Sequence, residues 1–157
     1  MNPTLKRLLL KAQNYCAQAE RCEQEVQEKL KKWGAVPDEA EWCMEMLKED
    51  DFVNNERYAR CFTSDKFRLQ QWGKAKIYHH LKTKGIHPAY IKTAFATQIP
   101  DDQYRQTLYE LATKKWQLLA HLENPYAQKQ KLMLFLQQRG FEPALIVQVA
   151  EEVGSTY

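Results

Sequence analysis

Basic side chains are the residues of this sequence whose type and spacing best fit a chemical task. Residues 52–92 contain nine basic and only two acidic residues. Helical spacing places arginines on one face and apolar residues on the other: Arg57, Arg60 and Arg68 lie opposite Tyr58, Phe62 and Leu69. A second short helix would present Lys76, His79 and Lys82 away from Ile77 and Leu81. Arginine and lysine neutralise phosphates, so two such faces favour a nucleic-acid partner, although plain solvated faces stay an alternative.

Catalytic and metal-binding patterns are absent from the sequence. The cysteines are spaced 6, 21 and 18 residues apart, without the close pairs that zinc sites use: Cys16, Cys22, Cys43 and Cys61. No cysteine or carboxylate joins His79 and His80 at metal-ligand spacing. The carboxylate pairs at 50–51 and 101–102 fit helix junctions, where capping explains them. Since phosphate-loop, nucleophile-elbow, zinc-protease and calcium-loop motifs are also missing, we expect no catalytic activity, metal or cofactor.

Composition predicts an all-α protein. Of 157 residues, 44% are hydrophobic and 27% charged, while glycine (5) and proline (6) are scarce. Such a chain is long enough to bury a core and is rich in helix formers. No apolar run approaches the roughly 20 residues of a membrane span. We therefore expect a cytoplasmic monomer with reduced cysteines.

One pattern occurs three times along the chain. It is an aliphatic residue, a second one four residues later, glycine after four more, and proline three beyond the glycine. The copies are Val26-Leu30-Gly34-Pro37, Ile77-Leu81-Gly85-Pro88 and Leu132-Leu136-Gly140-Pro143. Apolar residues at i and i+4 share a helix face, glycine fits the left-handed position after a helix, and proline opens the next helix. Each copy therefore predicts a helix, a tight turn and a second helix.

The spacing of the copies leaves room for further helices. The glycines are 51 and 55 residues apart, and residues 55–70 and 102–122 fill the gaps, with a leading helix near residues 4–20. We therefore predict an elongated tandem array of three three-helix repeats. Its parts are an N-terminal helix over 1–21, repeat 1 over 22–70, repeat 2 over 71–123 and a shortened repeat 3 over 124–157.

Charge is distributed unevenly among these parts. The net charge is +3, yet residues 20–51 carry eleven acidic and five basic residues, whereas 52–92 are strongly basic. This asymmetry suggests an acidic first repeat that faces protein and a basic centre near nucleic acid. Phe67 and Trp72 could stack on bases, but packing between helices is the role we favour for them.

Three stretches in the middle of the chain form a recognisable signature. Residues 50–62 read DDFVNNERYARCF, residues 72–77 read WGKAKI, and residues 81–86 read LKTKGI. In this order they resemble the central module of the RecX family, bacterial regulators of the RecA recombinase. The three-repeat layout extends the resemblance over nearly the whole chain. Cys22 departs from the family pattern, which often has serine there.

The resemblance implies a non-catalytic protein that docks in the groove of RecA filaments on single-stranded DNA, inhibits ATP hydrolysis and strand exchange, and modulates filament growth or disassembly. Such proteins belong to homologous recombination, DNA repair and the SOS response, and similar ones also bind single-stranded or double-stranded DNA. By position, the filament- and nucleic-acid-binding residues would be Arg57, Arg60, Arg68, Lys76, Lys82 and Lys84. The packing signature would be Tyr58, Phe62, Ile77, Leu81, Gly85 and Ile86. A stand-alone, non-specific DNA-binding protein and a purely protein-binding adaptor stay open as alternatives.

Overall fold

The computed structural model describes residues 2–156, and every regular element in that range is an α-helix. The helices are α1 (Pro3–Gln18), α2 (Glu23–Lys32), α3 (Pro37–Glu49), α4 (Asn55–Arg68), α5 (Lys74–Thr83), α6 (Pro88–Gln98), α7 (Asp101–Leu118), α8 (Pro125–Gln138) and α9 (Pro143–Thr156). The all-α prediction is therefore confirmed. The helices expected near 4–20, 55–70 and 102–122 are α1, α4 and α7. Within the described range, no helix is both long and apolar enough to cross a membrane.

Each repeat turns at its glycine through the same pair of hydrogen bonds. In the first repeat, the Ala35 N–H donates to the Leu30 carbonyl and the Gly34 N–H donates to the Lys31 carbonyl, both at 3.0 Å. The equivalent bonds recur after α5 and α8, and the three glycines have φ values of 90°, 75° and 95°. This is the Schellman arrangement that ends a helix in a left-handed residue. The predicted helix, turn and helix are confirmed, since prolines begin α3, α6 and α9.

The first compact unit contains residues 1–62 and 81–92. In it α1, α2 and α3 pack against one another. Their core consists of eight buried residues: Leu8, Ala12, Val26, Leu30, Cys43, Met44, Leu47 and Val53. The N-terminus of α2 is closed by Glu25, whose carboxylate accepts the Cys22 N–H at 3.0 Å. The sequence pattern of apolar residues at i and i+4 therefore produces one buried face on each helix.

The second compact unit contains residues 63–80 and 93–157. In it α7, α8 and α9 pack together around large buried side chains: Tyr104, Leu108, Trp116, Leu132, Leu136, Phe141, Ile146, Val149 and Val153. Asn124 caps α8 by accepting the Tyr126 N–H at 2.9 Å, and Pro125 is the first helical residue. Proline costs nothing there because the first N–H groups of a helix have no intrahelical acceptor.

Tertiary hydrogen bonds fix the start of α5 within this second unit. The N–H of Gly73 donates to the Arg139 carbonyl at 2.8 Å, and that of Ala75 donates to the Gly140 carbonyl at 3.0 Å. Between them, the N–H of Lys74 donates to the Tyr104 hydroxyl at 2.9 Å. A Cβ at Gly73 would overlap the backbone of Gly140. The amide groups that open α5 thus cap the carbonyls at the end of α8.

One expectation about the buried face of α4 is wrong. Leu69 is 79% exposed, although helical spacing placed it with Tyr58 and Phe62. Because the helix ends at Arg68, the helical wheel does not predict the direction of the Leu69 side chain. Tyr58 is buried and Phe62 is half-buried, with their rings stacked at a centroid distance of 5.8 Å.

Candidate nucleic-acid and partner interface

The Arg57 side chain binds residues of its own compact unit instead of extending into solvent. Its Nε donates to both carboxylate oxygens of Glu20 at 2.9 Å, and an Nη donates to the Asp51 carbonyl at 2.9 Å. The side chain is only 28% exposed. The prediction that Arg57 lies on a solvent-facing ridge is therefore wrong. Glu20 lies between α1 and α2, and a helical wheel shows only neighbours on the same helix.

Two further predicted interface cations have weaker partners. The Nζ of Lys84 lies 3.8 Å from an Oε of Glu25, and an Nη of Arg60 lies 3.5 Å from an Oε of Glu56, one helical turn earlier. The lysine and arginine side chains are 37% and 41% exposed. Exposed pairs of this kind contribute at most about 1 kcal/mol. Both side chains can therefore exchange their present partner for a ligand at little cost.

Arg68 and Lys82 are the predicted interface cations with unneutralised charge. Both are exposed, and neither forms an ion pair or a side-chain hydrogen bond with any residue of the range 2–156. Arg68 ends α4 in the second unit, and Lys82 lies in the last turn of α5, in the part that belongs to the first unit. Cations at helix C-termini are stabilised by the helix dipole. Each therefore offers a full positive charge to a partner.

The acidic and basic segments of the sequence are partly each other's partners. Within the first unit, Arg57 lies 2.9 Å from Glu20 and 3.9 Å from Asp51, while Lys84 binds Glu25. The strong charge asymmetry along the sequence is therefore reduced by internal pairing. In the described range, Arg68, Lys82 and Lys76 have no carboxylate partner and retain their positive charge.

Trp72 organises a cluster of basic side chains in the second unit. It lies half-buried in the loop before α5, with the Nζ atoms of Lys66 and Lys76 at 4.7 and 4.2 Å from its ring centroid. The ring of His80 lies 4.9 Å away. We call Lys66, Trp72, Lys76 and His80 the Trp72 cluster. Phe67, by contrast, is 4% exposed, so the packing role expected for both aromatic residues is confirmed for Phe67 alone.

A second ring of this unit has the same environment. The Nζ of Lys115 lies 5.0 Å from the ring centroid of Phe135, and the guanidinium carbon of Arg139 lies 5.7 Å from it. We call these three residues the Phe135 cluster. Sequence reasoning missed both clusters, since only the folded chain brings Lys115 to Phe135. For Trp72 a signal existed in the lysines six residues before and four residues after it.

Three of the thiols and the buried Tyr104 hydroxyl are chemically quiet. Burial raises the pKa of Cys22 to about 11, and burial also raises the pKa values of Cys16 and Cys43. These thiols stay protonated at neutral pH and are poor nucleophiles. Burial and a hydrogen bond to Glu142 raise the pKa of Tyr104. Among residues 2–156, no three His, Cys, Asp or Glu side chains lie together in a group that could hold a metal ion.

The surface grooves do not collect catalytic groups. A groove of about 650 Å³ between α2 and α3 is lined by apolar residues such as Met44 and by carboxylates such as Glu41 and Glu45. A groove of about 550 Å³ between α7 and α9 is lined by Leu108, Val149 and mixed charges. Neither combines a nucleophile with a base or with convergent hydrogen-bond donors.

Three protein-family models match the chain in order. They describe the first, second and third three-helix domains of RecX and cover residues 9–47, 54–94 and 101–149. Each match contains a leading helix followed by a helix, turn and helix: α1–α3, α4–α6 and α7–α9. The repeats that we divided from the sequence begin one helix later, at the turn-containing pair. In the family's division each domain of this chain has three helices.

Individual relatives agree with the family models. Regulatory protein RecX of Clostridium perfringens strain 13 is 31% identical over 123 residues, which are 78% of this chain and 57% of that protein. That of Clostridium acetobutylicum is 29% identical over 137 residues, 86% and 63% of the two chains. This chain thus spans less than two thirds of the length of either relative.

A solved structure adds the fold. The crystal structure of RecX from Lactobacillus salivarius superposes with a TM-score of 0.83 at 21% identity and covers 95% of this chain and 96% of that one. At this identity the likeness shows the fold alone. The three domain models, however, follow one another from residue 9 to residue 149, each on one trio of helices. The chain therefore belongs to the RecX family.

Proposed function

We propose that this chain regulates a RecA-type recombinase, mainly as an inhibitor. It binds in the groove of the recombinase filament on single-stranded DNA, slows ATP hydrolysis and strand exchange, and limits filament growth. It acts by binding alone, without catalysis of its own, in the cytoplasm. The relatives named regulatory protein RecX support the regulatory part of this proposal.

The observation that carries the binding part is the unneutralised charge of the second domain. Arg68 and Lys82 are exposed without an ion pair in the described range, and Lys76 is held by an aromatic ring rather than by a carboxylate. A filament on DNA presents phosphates and acidic side chains to such groups. Arg60 and Lys84 contribute less because each already has a glutamate partner, and Arg57 least because its pair is half-buried.

The test measures the rate of ATP hydrolysis by RecA on single-stranded DNA at increasing molar ratios of this protein to RecA. The variant Arg68→Glu/Lys82→Glu should need at least about tenfold more protein for half-inhibition. Its matched control is Lys31→Glu/Lys114→Glu, which reverses two exposed lysines, one in each unit, and should inhibit like the wild type. Absence of inhibition by the wild type at any ratio would refute the regulatory proposal. Equal inhibition by both double variants would refute the residue assignment.

A stand-alone DNA-binding protein is the second candidate, because exposed cations on a helical surface bind any phosphate backbone. A mobility-shift titration without recombinase separates the two functions. Tight binding to duplex DNA together with an unchanged rate of ATP hydrolysis would favour the second candidate.

A further inference from the structure

Three basic side chains of the first unit lie over two aromatic rings that meet. The rings of Tyr15 and Trp33 are arranged edge to face, with their centroids 6.2 Å apart. The guanidinium carbon of Arg21 lies 3.9 Å from the Tyr15 centroid, and the Nζ of Lys29 lies 5.3 Å from it. The Nζ of Lys11 lies 5.0 Å from the Trp33 centroid. We call these five residues the Tyr15 cluster.

The positive charge of the Tyr15 cluster has no carboxylate partner. Within the described part of the chain, Lys11, Arg21 and Lys29 form no ion pair. An aromatic face attracts a cation but carries no net charge. The carboxylates on either side of Arg21 bind elsewhere: Glu20 binds Arg57, Glu23 binds Lys48, and Glu25 binds the Cys22 N–H and Lys84. This predominantly acidic segment therefore has a basic surface where α1 and α2 meet.

The Tyr15 cluster is ordered before any ligand arrives. The Nε of Arg21 donates to the Tyr15 carbonyl at 3.1 Å, which fixes the guanidinium over the ring. Both rings are half-buried and pack against the core of the first unit. Lys11 and Trp33 also line a hollow of about 270 Å³. Because these groups lose little freedom when a partner binds, the entropic cost of docking is small.

The rings favour a carboxylate ligand over a nucleic acid. Single-stranded nucleic acids bind aromatic side chains by stacking bases on open ring faces, but here the three cations lie over those faces. A nucleic acid is also a continuous polyanion, and it would meet the exposed carboxylate of Glu28 next to Lys29. A guanidinium binds a carboxylate through two parallel hydrogen bonds. A few carboxylates on a flexible peptide can reach the cations without requiring an open ring.

From these contacts we infer that the Tyr15 cluster is a docking surface for a short acidic segment of a partner protein. Carboxylates of that segment bind Arg21 and the two lysines, while Tyr15 and Trp33 hold the cations in place. The inference goes beyond the proposed function, because the cluster shares no residue with the interface assigned to Arg68 and Lys82. Its test uses this protein alone, without recombinase, so that the two proposals can fail separately.

The experiment measures the fluorescence anisotropy of a fluorescein-labelled peptide of alternating glutamate and serine at low ionic strength. Lys11→Gln/Lys29→Gln should weaken its binding about tenfold, since two exposed ion pairs are lost. Arg21→Lys keeps the charge but not the two-pronged geometry and should weaken binding about threefold. The matched control is Lys6→Gln/Lys31→Gln, at exposed lysines on the far sides of α1 and α2, which should change the affinity by less than about twofold.

A labelled oligothymidylate distinguishes a carboxylate site from a general anion site. Lys11→Gln/Lys29→Gln should leave its affinity within about twofold of the wild type, whereas Arg68→Gln/Lys82→Gln should weaken binding of oligothymidylate and not of the peptide. Equal losses for both ligands in the Lys11→Gln/Lys29→Gln variant, or no saturable binding of the peptide by the wild type, would overturn the inference. Circular dichroism checks the fold of each variant. If Lys11→Gln/Lys29→Gln is unfolded, an Arg21→Lys protein that binds the peptide like the wild type overturns the inference instead.

Discussion

Arg57 shows how one contact changes the role of a residue. Its sequence position, three residues before Arg60 and eleven before Arg68, is that of a solvent-facing arginine. In the folded chain it forms two hydrogen bonds to Glu20 and one to the Asp51 carbonyl. These bonds join the start of α4 to the connection that precedes α2. Arg57 therefore stabilises the first unit.

We accordingly predict that Arg57→Ala lowers the free energy of unfolding by about 1–2 kcal/mol, since hydrogen bonds to charged groups contribute about 1.5–3 kcal/mol and partial exposure reduces this. Arg68→Ala is the control, with an expected change within about 0.5 kcal/mol because its side chain has no partner. Urea denaturation followed by circular dichroism measures both. Equal stability of the two variants would contradict the role assigned to Arg57.

Tyr104 gives a pH dependence with a definite sign. Burial and the hydrogen bond to Glu142 raise the pKa of its hydroxyl, so the folded state keeps the proton after the unfolded chain has lost it. The stabilisation is complete below the unfolded pKa of about 10 and is lost as pH rises above it. Tyr104→Phe removes this contribution.

We predict that the free energy of unfolding of the wild type falls more steeply between pH 10 and 11 than that of Tyr104→Phe, by about 1 kcal/mol over that pH unit. Tyr126→Phe, at a side chain that is 70% exposed, should keep the slope of the wild type. Parallel profiles for the wild type and Tyr104→Phe would show that the Tyr104 hydroxyl ionises normally in the folded protein.

The turns between helices look alike in sequence but differ in what surrounds them. Gly85 and Gly140 both have a left-handed backbone, yet a Cβ at Gly85 meets no atom within 4 Å, whereas one at Gly140 would overlap Lys76. Gly73 is the reverse of Gly85. Its φ lies outside the left-handed region, but a Cβ added there would meet the backbone of Gly140. Strain and crowding can therefore be measured separately.

We predict that Gly85→Ala costs about 1–2 kcal/mol, the penalty of a left-handed residue with a Cβ. Gly73→Ala should cost at least about 2 kcal/mol through overpacking, and Gly140→Ala more than either. Thermal and urea denaturation of the three variants give the order. A Gly73→Ala protein as stable as the wild type would show that the α5 start does not need its close approach to α8.

The sequence predicts the helices and turns well because their causes are local. Glycine, proline and the i, i+4 apolar pairs act within a few residues, so α2, α3, α8 and α9 follow from them. The Arg57–Glu20 pair, the fit of Gly73 against Gly140 and the cations around Phe135 involve residues that are far apart along the chain. Nothing in the local pattern distinguishes Gly73 from Cys22, which has the same place in the first repeat.

Across the molecule, net charge is a poor guide to binding because opposite charges of the sequence are paired internally. Glu20 and Glu25 neutralise part of the basic segment in the first unit. Only basic side chains without a carboxylate partner are ready to neutralise phosphates and release the counterions of the nucleic acid. The number of such groups, rather than the total of +3, sets the salt dependence of binding to a nucleic acid.

We predict that Arg68→Gln/Lys82→Gln reduces the slope of log K against log salt for single-stranded DNA by about 1.4, or about 0.7 for each phosphate contact. Arg57→Gln/Lys84→Gln removes the same formal charge but should change the slope by less than half as much. Anisotropy titrations at four salt concentrations measure both slopes. Identical reductions would indicate that the internal pairs open when DNA binds.

The contact between Gly73 and Gly140 also ties the second three-helix domain to the third. In the first repeat the equivalent of Gly73 is Cys22, whose Sγ lies 3.9 Å from the Lys84 carbonyl. That side chain has room at its own turn, whereas any side chain at position 73 would collide with the next one. A cysteine at position 73 would collide with the backbone of Gly140 and would break this contact between the second and third domains. The repeats share a pattern, yet the residue just before the second helix has to be small in one of them and has room for a thiol in another.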